Sequence, residues 1–268
     1  AVREAVEKTQ YGENSEALFL TSSFVQPDSE TAARRFAGEE DGFIYSRFTN
    51  PTVASFEQRL AALEGSQACV GTASGMAAVL LLCMALLKSG DHVVCSHSVF
   101  GSTHKLLGTE FAKFGVQTTF VSQTNLQAWR DAVQPNTRLL FAETPTNPLT
   151  EVCDIAALAD IAHQANALLA VDNCFCTPAI QRPVEFGADV VIHSATKFLD
   201  GHGRIVGGAV LGEKAPDPEC KQREQGERQE ERLVVVPVAE RAQQQRRDCG
   251  DRDRHRRGED DVGPDAFT

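Results

Sequence analysis

Residues 189–204 read DVVIHSATKFLDGHGR, and the way this run changes character partway along decides the fold. Val190–Ile192 is an apolar run too short for a helix, and it ends on His193 and Ser194. A short apolar run bounded by polar residues reads as a buried strand. Just beyond its end, Lys197 stands among small hydroxyl residues and glycines. The pattern recurs upstream in HVVCS (92–96), VQTTFV (116–121), RLLFAE (138–143) and LLAVD (168–172), with helical stretches such as DIAALADIAHQAN (154–166) between several of them. Strands alternating with helices predict an α/β fold whose mostly parallel sheet is covered on both faces. Ligands of such sheets gather at the carboxyl ends of the strands. Glu143, Asp172 and Ser194 all fall at those ends.

The helices carry their own signals. PTVASFEQRLAALEG (51–65) sets Val53, Phe56, Leu60 and Leu63 on one expected face, with Asn50 as cap, Pro51 in the first turn and Gly65 as terminator. SGMAAVLLLCMALLKSG (74–90) predicts a buried helix ending at Gly90, and Asp154 is the expected cap of the helix after it.

Composition narrows the partners. A formal charge of −11 argues against nucleic acid or an anionic membrane surface. No run of about 18 apolar residues exists, so no membrane span is expected. The start, AVREAVEKTQYGE, is charged throughout and lacks the apolar centre of a secretory signal. It also lacks an initiator methionine, which points to processing or an incomplete start. None of the eight cysteines forms a CxxC motif, and Cys174-Phe175-Cys176 reads as buried thiols rather than a metal or redox pair. No metal is expected, and a reducing cytoplasm is the simpler setting.

From Pro216 the character changes. Residues 216–268 hold one leucine, one phenylalanine and no isoleucine, with ten arginines against one lysine. Such a segment buries too little surface to offset its ordering entropy, so 216–268 is expected to be a disordered, aberrant tail. Its composition matches an out-of-frame reading of a GC-rich gene beginning at about Gly212–Ala215.

Three features assemble a chemistry that none carries alone. Thr72-Ala73-Ser74-Gly75 opens an apolar helix, which gathers free N–H groups at its positive end and suits an anion, although Ser74 is equally an ordinary cap. Asp172 closes an apolar strand, which is costly unless a cation or strong donors face it, although Asp172-Asn173 alone commonly starts a turn. Lys197, among apolar and hydroxyl neighbours, is able to shed its proton and act as a nucleophile, although alone it also reads as a surface lysine. A phosphate cradle, a carboxylate and an amine at neighbouring strand ends are what pyridoxal phosphate requires.

In chain order, YSRFTNPT, TASGMAA, VFGST, ETPTNP, AVDNCF and HSATKFLDGHGR resemble the pyridoxal-phosphate enzymes of cysteine and methionine metabolism, over most of the chain before the tail. The resemblance implies the type I fold of these enzymes, with an N-terminal arm (1–50) in subunit contacts and a cofactor-binding large domain (51–215). The family's smaller C-terminal domain, which carries the arginine gripping the substrate carboxylate, is expected to be absent. It implies that Lys197 holds pyridoxal 5′-phosphate and shuttles protons, and that Asp172 pairs with the pyridine nitrogen. Gly75, Met76, Ser194 and Thr196 would bind the phosphate, while Tyr45 and Arg47 would reach the phosphate of a neighbouring subunit. Phe100 would stack on the ring where many relatives have tyrosine, with Asn147 beside cofactor and substrate and Glu143 supporting the pocket. VFGST and DGHGR together are most like the branch that replaces the succinate of O-succinylhomoserine with sulfide. The implied assembly is a homo-oligomer, a tetramer built as a dimer of dimers. Cystathionine γ-synthase or γ-lyase activity, and an inactive chain that folds only its cofactor domain, are the alternatives.

Overall fold

A computed structural model describes residues 8–213, and the expectations for 216–268 lie outside the described residues. The described chain separates into two compact units, one formed by 18–51 and the other by 8–17 with 52–213. The smaller unit contains α1 (Ser29–Ala37), whose N-terminus is capped by Asp28 accepting from the N–H of Thr31. An isolated bridge pairs Ser23 with Tyr45 in the same unit.

In chain order the larger unit runs α2 (Pro51–Glu64), β1 (Ala68–Thr72), α3 (Gly75–Leu86), β2 (His92–Ser96), α4 (Gly101–Lys105) and β3 (Gln117–Val121). It continues with α5 (Leu126–Ala132), β4 (Thr137–Glu143), α6 (Ile155–Gln164), β5 (Leu168–Asp172), α7 (Thr177–Ile180), β6 (Val190–His193) and β7 (Gly208–Gly212). The seven strands form one sheet in the order β1-β7-β6-β5-β4-β2-β3. β2 to β6 are parallel, and β7 runs antiparallel to both β6 and β1. The sheet is therefore mostly parallel, as the spacing of the apolar runs predicts.

Alternation along each strand builds two cores from one apolar run, because successive side chains point to opposite faces. Val93, Cys95, Leu139, Phe141, Val190 and Ile192 pack with α3 residues Ala78, Val79, Leu82 and Cys83. Val94, Leu140, Ala142, Leu169 and Val171 pack with Trp129 of α5 and Leu158 and Ile161 of α6. α6 begins where expected, with Asp154 accepting from the N–H of Ala157.

Two expectations about helices change. α3 stops at Leu86 rather than Gly90, because Leu87 is already extended (φ −102°, ψ 142°) and Asp91 accepts the N–H of Lys88. α2 does not bury the face Val53, Phe56, Leu60 and Leu63; only Leu60 of these is buried, together with Ala61 and Glu64. The helix meets the sheet through its last turn, where Leu60 packs on Val191, Ala209 and Leu211. Its earlier turns lie against Gly71 of the edge strand, which leaves Val53 and Phe56 partly exposed.

The topology creates a crevice. β2 is followed by the outer strand β3, after which the chain returns to place β4 on the other side of β2. The loops leaving β2 and β4 diverge at such a switch point, which is where open α/β sheets bind ligands. At the other side of the sheet, β7 begins against the start of α3. A Cβ on Gly208 would lie 2.3 Å from the carbonyl oxygen of Ser74 and 2.7 Å from the nitrogen of Gly75. Both atoms are backbone and unable to swing away. Gly208→Ala is expected to destabilise the fold by about 1–3 kcal/mol, the usual cost of forcing atoms into a packed site. Gly101→Ala, where an added Cβ meets nothing within 4 Å, serves as the control. Equal melting temperatures for the two variants would refute this reading of Gly208.

Candidate active site

α3 starts at Gly75 because Ser74 is extended (φ −166°, ψ 165°) and its hydroxyl accepts the N–H of Ala77 at 3.1 Å. The carbonyl of Ser74 takes the N–H of Ala78. This leaves the N–H groups of Gly75 and Met76 without a hydrogen-bond partner among the described residues, at the positive end of a 12-residue helix. Met76 packs its side chain on the core and accepts from the Thr103 hydroxyl at 3.7 Å, so what it offers an anion is its backbone N–H. Ser194 adjoins this helix end: a Cβ on Gly75 would lie 2.7 Å from Cβ and 3.0 Å from Oγ of Ser194. Glycine at 75 is what lets the hydroxyl and the free N–H groups share one cradle. Thr196 anchors the neighbouring turn, its hydroxyl accepting from the N–H of Gly207 (3.0 Å) and donating to its carbonyl (3.3 Å).

Two carboxyl groups stand side by side along the same edge of the sheet. The register sets Glu143, last residue of β4, opposite Asp172, last residue of β5. Burial, and then the charge of Glu143, push the Asp172 carboxyl up to about 7, against the N–H of Cys174 donated to it at 3.0 Å. An acid held this way gains from a cation placed opposite it. Glu143 is 3% exposed and accepts two backbone N–H groups, from Phe100 at 2.6 Å and from Asn147 at 3.1 Å. Burial still raises it above the ordinary carboxylate range. One side chain thus ties together the two loops that diverge at the switch point. Phe100 stays 44% exposed at the mouth, and the exposed Asn147 follows one cis prolyl bond, Thr144–Pro145, and enters a second, Asn147–Pro148.

Lys197 lies in a π-helical turn, Ala195–Leu199, where the backbone departs from helical angles at the lysine itself (φ −90°, ψ −114°). Its side chain is exposed. The buried thiol of Cys174 reports what surrounds it: burial first, then Asp172, lift it to about 12; Glu143 adds to the lift, and Lys197 opposes it. Amine and carboxyl groups therefore border one region. DGHGR closes on itself, with Asp200 accepting the N–H of Arg204 at 2.8 Å and its guanidinium at 3.0 Å.

Phe100, Gly75, Met76, Glu143, Asn147, Asp172, Ser194, Thr196 and Lys197 all lie in the larger unit, at strand ends or in the loops that follow them. Tyr45 and Arg47 belong to the smaller one, where the Arg47 guanidinium lies over the rings of Phe48 (4.7 Å) and Tyr45 (5.4 Å). Both line a cavity of about 310 Å³ with Phe24, Phe36 and Ile44. Glu64 and His193, which no motif marks, are fully buried and 3.0 Å apart at the strand ends. A glutamate inside the apolar ALEG run was the available signal.

The model of the family described as "Cys/Met metabolism PLP-dependent enzyme" matches residues 1–231. The chain belongs to this family. It is 58% identical over 212 residues to the O-succinylhomoserine sulfhydrylase of Pseudomonas aeruginosa, covering 79% of this chain and 53% of that protein. It is 42% identical over 209 residues to the L-methionine gamma-lyase of Treponema denticola, covering 77% and 52%. Among solved structures, a candidate O-acetylhomoserine (thiol)-lyase from Campylobacter jejuni superposes with a TM-score of 0.75 at 31% identity, covering 79% of this chain and 52% of that one. That structure contains N′-pyridoxyl-lysine-5′-monophosphate. The chain spans about half the length of the curated relatives it matches.

The residues in place fit the family's cofactor: an open cradle of N–H and hydroxyl groups suits a phosphate, and an acid raised by its surroundings suits a protonated ring nitrogen. Without a cation opposite it, Asp172 carries a pH-dependent cost. Its folded value, about 7, lies above its ordinary value of 3.8, so the stability it contributes is complete below about pH 4 and is lost as pH rises through 7. Asp172→Asn removes that loss. In cofactor-free protein the variant is expected to melt on the order of a few degrees above the unsubstituted chain at pH 8, with the gap closing towards pH 4. A gap that does not change with pH contradicts this origin.

Proposed function

We propose that the chain works as a pyridoxal-phosphate-dependent O-succinylhomoserine sulfhydrylase, replacing the succinate at the γ-carbon of O-succinylhomoserine with sulfide to give homocysteine. The observation behind the reading is a free helix N-terminus, an elevated carboxyl and a lysine at neighbouring strand ends, in a chain 58% identical to a protein of that name.

Gly75 and Met76 would hold the phosphate through their N–H groups, with the hydroxyls of Ser194 and Thr196 beside them. Asp172 would face the pyridine nitrogen and keep it protonated, and Lys197 would hold the cofactor through its amine. Phe100 would cover one face of the ring, keeping the contact of an aromatic side chain without a phenolic proton. Glu143 would fix the Phe100 and Asn147 loops through the N–H groups it accepts. When bound, pyridoxal phosphate supplies the electron sink that makes the amino acid's carbons acidic. The Lys197 amine, freed as substrate binds, would take the α-proton and move protons at the β-carbon while succinate leaves and sulfide enters.

Tyr45 and Arg47 would reach the phosphate of a neighbouring subunit, where the fork of an arginine suits phosphate oxygens. The active form would then be a homo-oligomer, a dimer of dimers, acting on small-molecule substrates, with 1–50 as an arm and 51–215 as the cofactor domain. No helix among the described residues is long and apolar enough to cross a membrane. A cytoplasmic setting fits the six free thiols found among them.

The 42% identical gamma-lyase makes elimination the competing reading. Purified chain given pyridoxal phosphate is expected to gain a visible absorption band that Lys197→Ala abolishes. With O-succinylhomoserine and sulfide it is expected to form homocysteine, at a rate that falls roughly 10²–10⁴-fold in Lys197→Ala. Methanethiol release from methionine without homocysteine synthesis would replace this reading with the lyase. A chain that acquires no band would be neither.

A further inference from the structure

Glu64, the last residue of α2, sends its two carboxylate oxygens to two different strand ends. Its Oε2 lies 3.0 Å from Nε2 of His193, which ends β6 and immediately precedes Ser194. Its Oε1 accepts from Nδ2 of Asn173 at 3.4 Å, and Asn173 immediately follows Asp172. Nδ1 of His193 is buried and meets no partner among the described residues. A buried N–H without an acceptor is costly, so the imidazole proton belongs on Nε2, where it is donated to Glu64. Asn173 carries the network further. Its Nδ2 donates to the carbonyl of Gln181 at 2.8 Å, and its Oδ1 accepts from Nε2 of Gln181 at 2.9 Å. That same Nε2 donates to the carbonyl of Thr144, one residue beyond β4, at 3.0 Å. The ends of β4, β5 and β6 are thus joined through side chains at the level of the candidate site.

A buried carboxylate–imidazole pair costs desolvation that apolar residues of the same size would not, so stabilisation alone is a poor account of it. What the pair adds is geometry. Its two arms end one residue away from Asp172 and one residue away from Ser194. We propose that Glu64 and His193 are positioning residues of this site, fixing the spacing between the Asp172 carboxyl and the Ser194 hydroxyl. They thereby set the fit to a ligand with a protonated ring nitrogen at one end and a phosphate at the other. The ligand half of this statement rests on the pyridoxal-phosphate reading above; the clamp itself does not.

Glu64→Gln keeps the shape and removes the charge. Glu57→Gln is its control, since Glu57 is a partly buried carboxyl on the same helix that, among the described residues, accepts only the N–H of Gly71, at 2.7 Å, on the edge strand. Hydrogen exchange of the full chain without cofactor is read by mass spectrometry. In Glu64→Gln, peptides covering 170–176 and 190–197 are expected to exchange about tenfold faster, with those covering 92–96 and 117–121 unchanged. Glu57→Gln is expected to leave the first two peptides at their ordinary rates. Titration with pyridoxal phosphate, followed by absorption, is expected to show binding weakened about tenfold in Glu64→Gln and unchanged in Glu57→Gln. The double variant Glu64→Gln with His193→Gln restores an amide pair across the gap and is expected to recover part of the affinity. Unchanged exchange in Glu64→Gln, or equal losses in Glu57→Gln, would overturn the clamp. If Glu64→Gln does not fold, Asn173→Ala removes one arm alone and is read in the same two ways. If the unsubstituted chain takes up no pyridoxal phosphate, the cofactor reading fails, and the exchange rates still decide whether the clamp exists.

Discussion

Two carboxyl groups held side by side at the ends of adjacent parallel strands are the constraint on which the rest of this structure turns. The register that pairs Glu143 with Asp172 follows from β4 and β5 being buried on both faces, where a slip of one residue would reverse every side chain. The sheet therefore fixes the distance between the acids, and they cannot relax apart. Glu143 is answered by two N–H groups from the loops after β2 and β4. Asp172 receives one N–H and is pushed up by burial and by Glu143. An imbalance of that kind is relieved by a cation, and the edge of the sheet where it arises is the one where the free N–H groups of α3 stand.

This arrangement separates two kinds of glycine-rich sequence that look alike on paper. Gly75 and Gly208 are there for close approach: the first admits Ser194 to the helix end, the second admits β7 to the Ser74 peptide. Together they pull the antiparallel strand β7, the start of α3 and the lysine turn into one place. DGHGR instead forms a self-contained loop closed by Asp200 and Arg204, and it orders the exit from the turn that carries Lys197.

The parallel strands were legible because burial on both faces leaves continuous apolar runs, and HVVCS, RLLFAE, LLAVD and VVIH are such runs. ACVGT and GAVLG were not read as strands, since short segments with glycine and small residues carry little periodicity. The lysine, the aspartate and the helix start were legible as a set because each sits where a run of one character ends. Glu64 and His193 escaped because nothing local pairs them. Each closes an apolar stretch with its partner far along the chain, and only the fold brings the end of α2 to the ends of β5 and β6. The apolar face assigned to α2 failed on a related point: helical periodicity identified a stripe, but only the last turn is buried against β6 and β7, while the earlier turns lie against Gly71 at the edge.

Burial and hydrogen bonding also limit which group is free to carry a proton. Glu143 is engaged by two backbone donors, and in the proposed site Asp172 would answer a cation rather than exchange protons with a carbon. Glu64 is bound to His193 and Asn173 beneath the strand ends. His104 is stacked on Phe120 with centroids 3.8 Å apart, and His97 lies against the same ring. Phe100 brings a ring without a hydroxyl. Among the described residues gathered at these strand ends, Lys197 is exposed, basic and set on a turn that leaves its backbone tied to Ser194 and Gly201 while its side chain stays open. In the proposed reaction the proton traffic at both the α- and β-carbons therefore falls to one amine, and the hydrogen bonds around it act to keep every other group still.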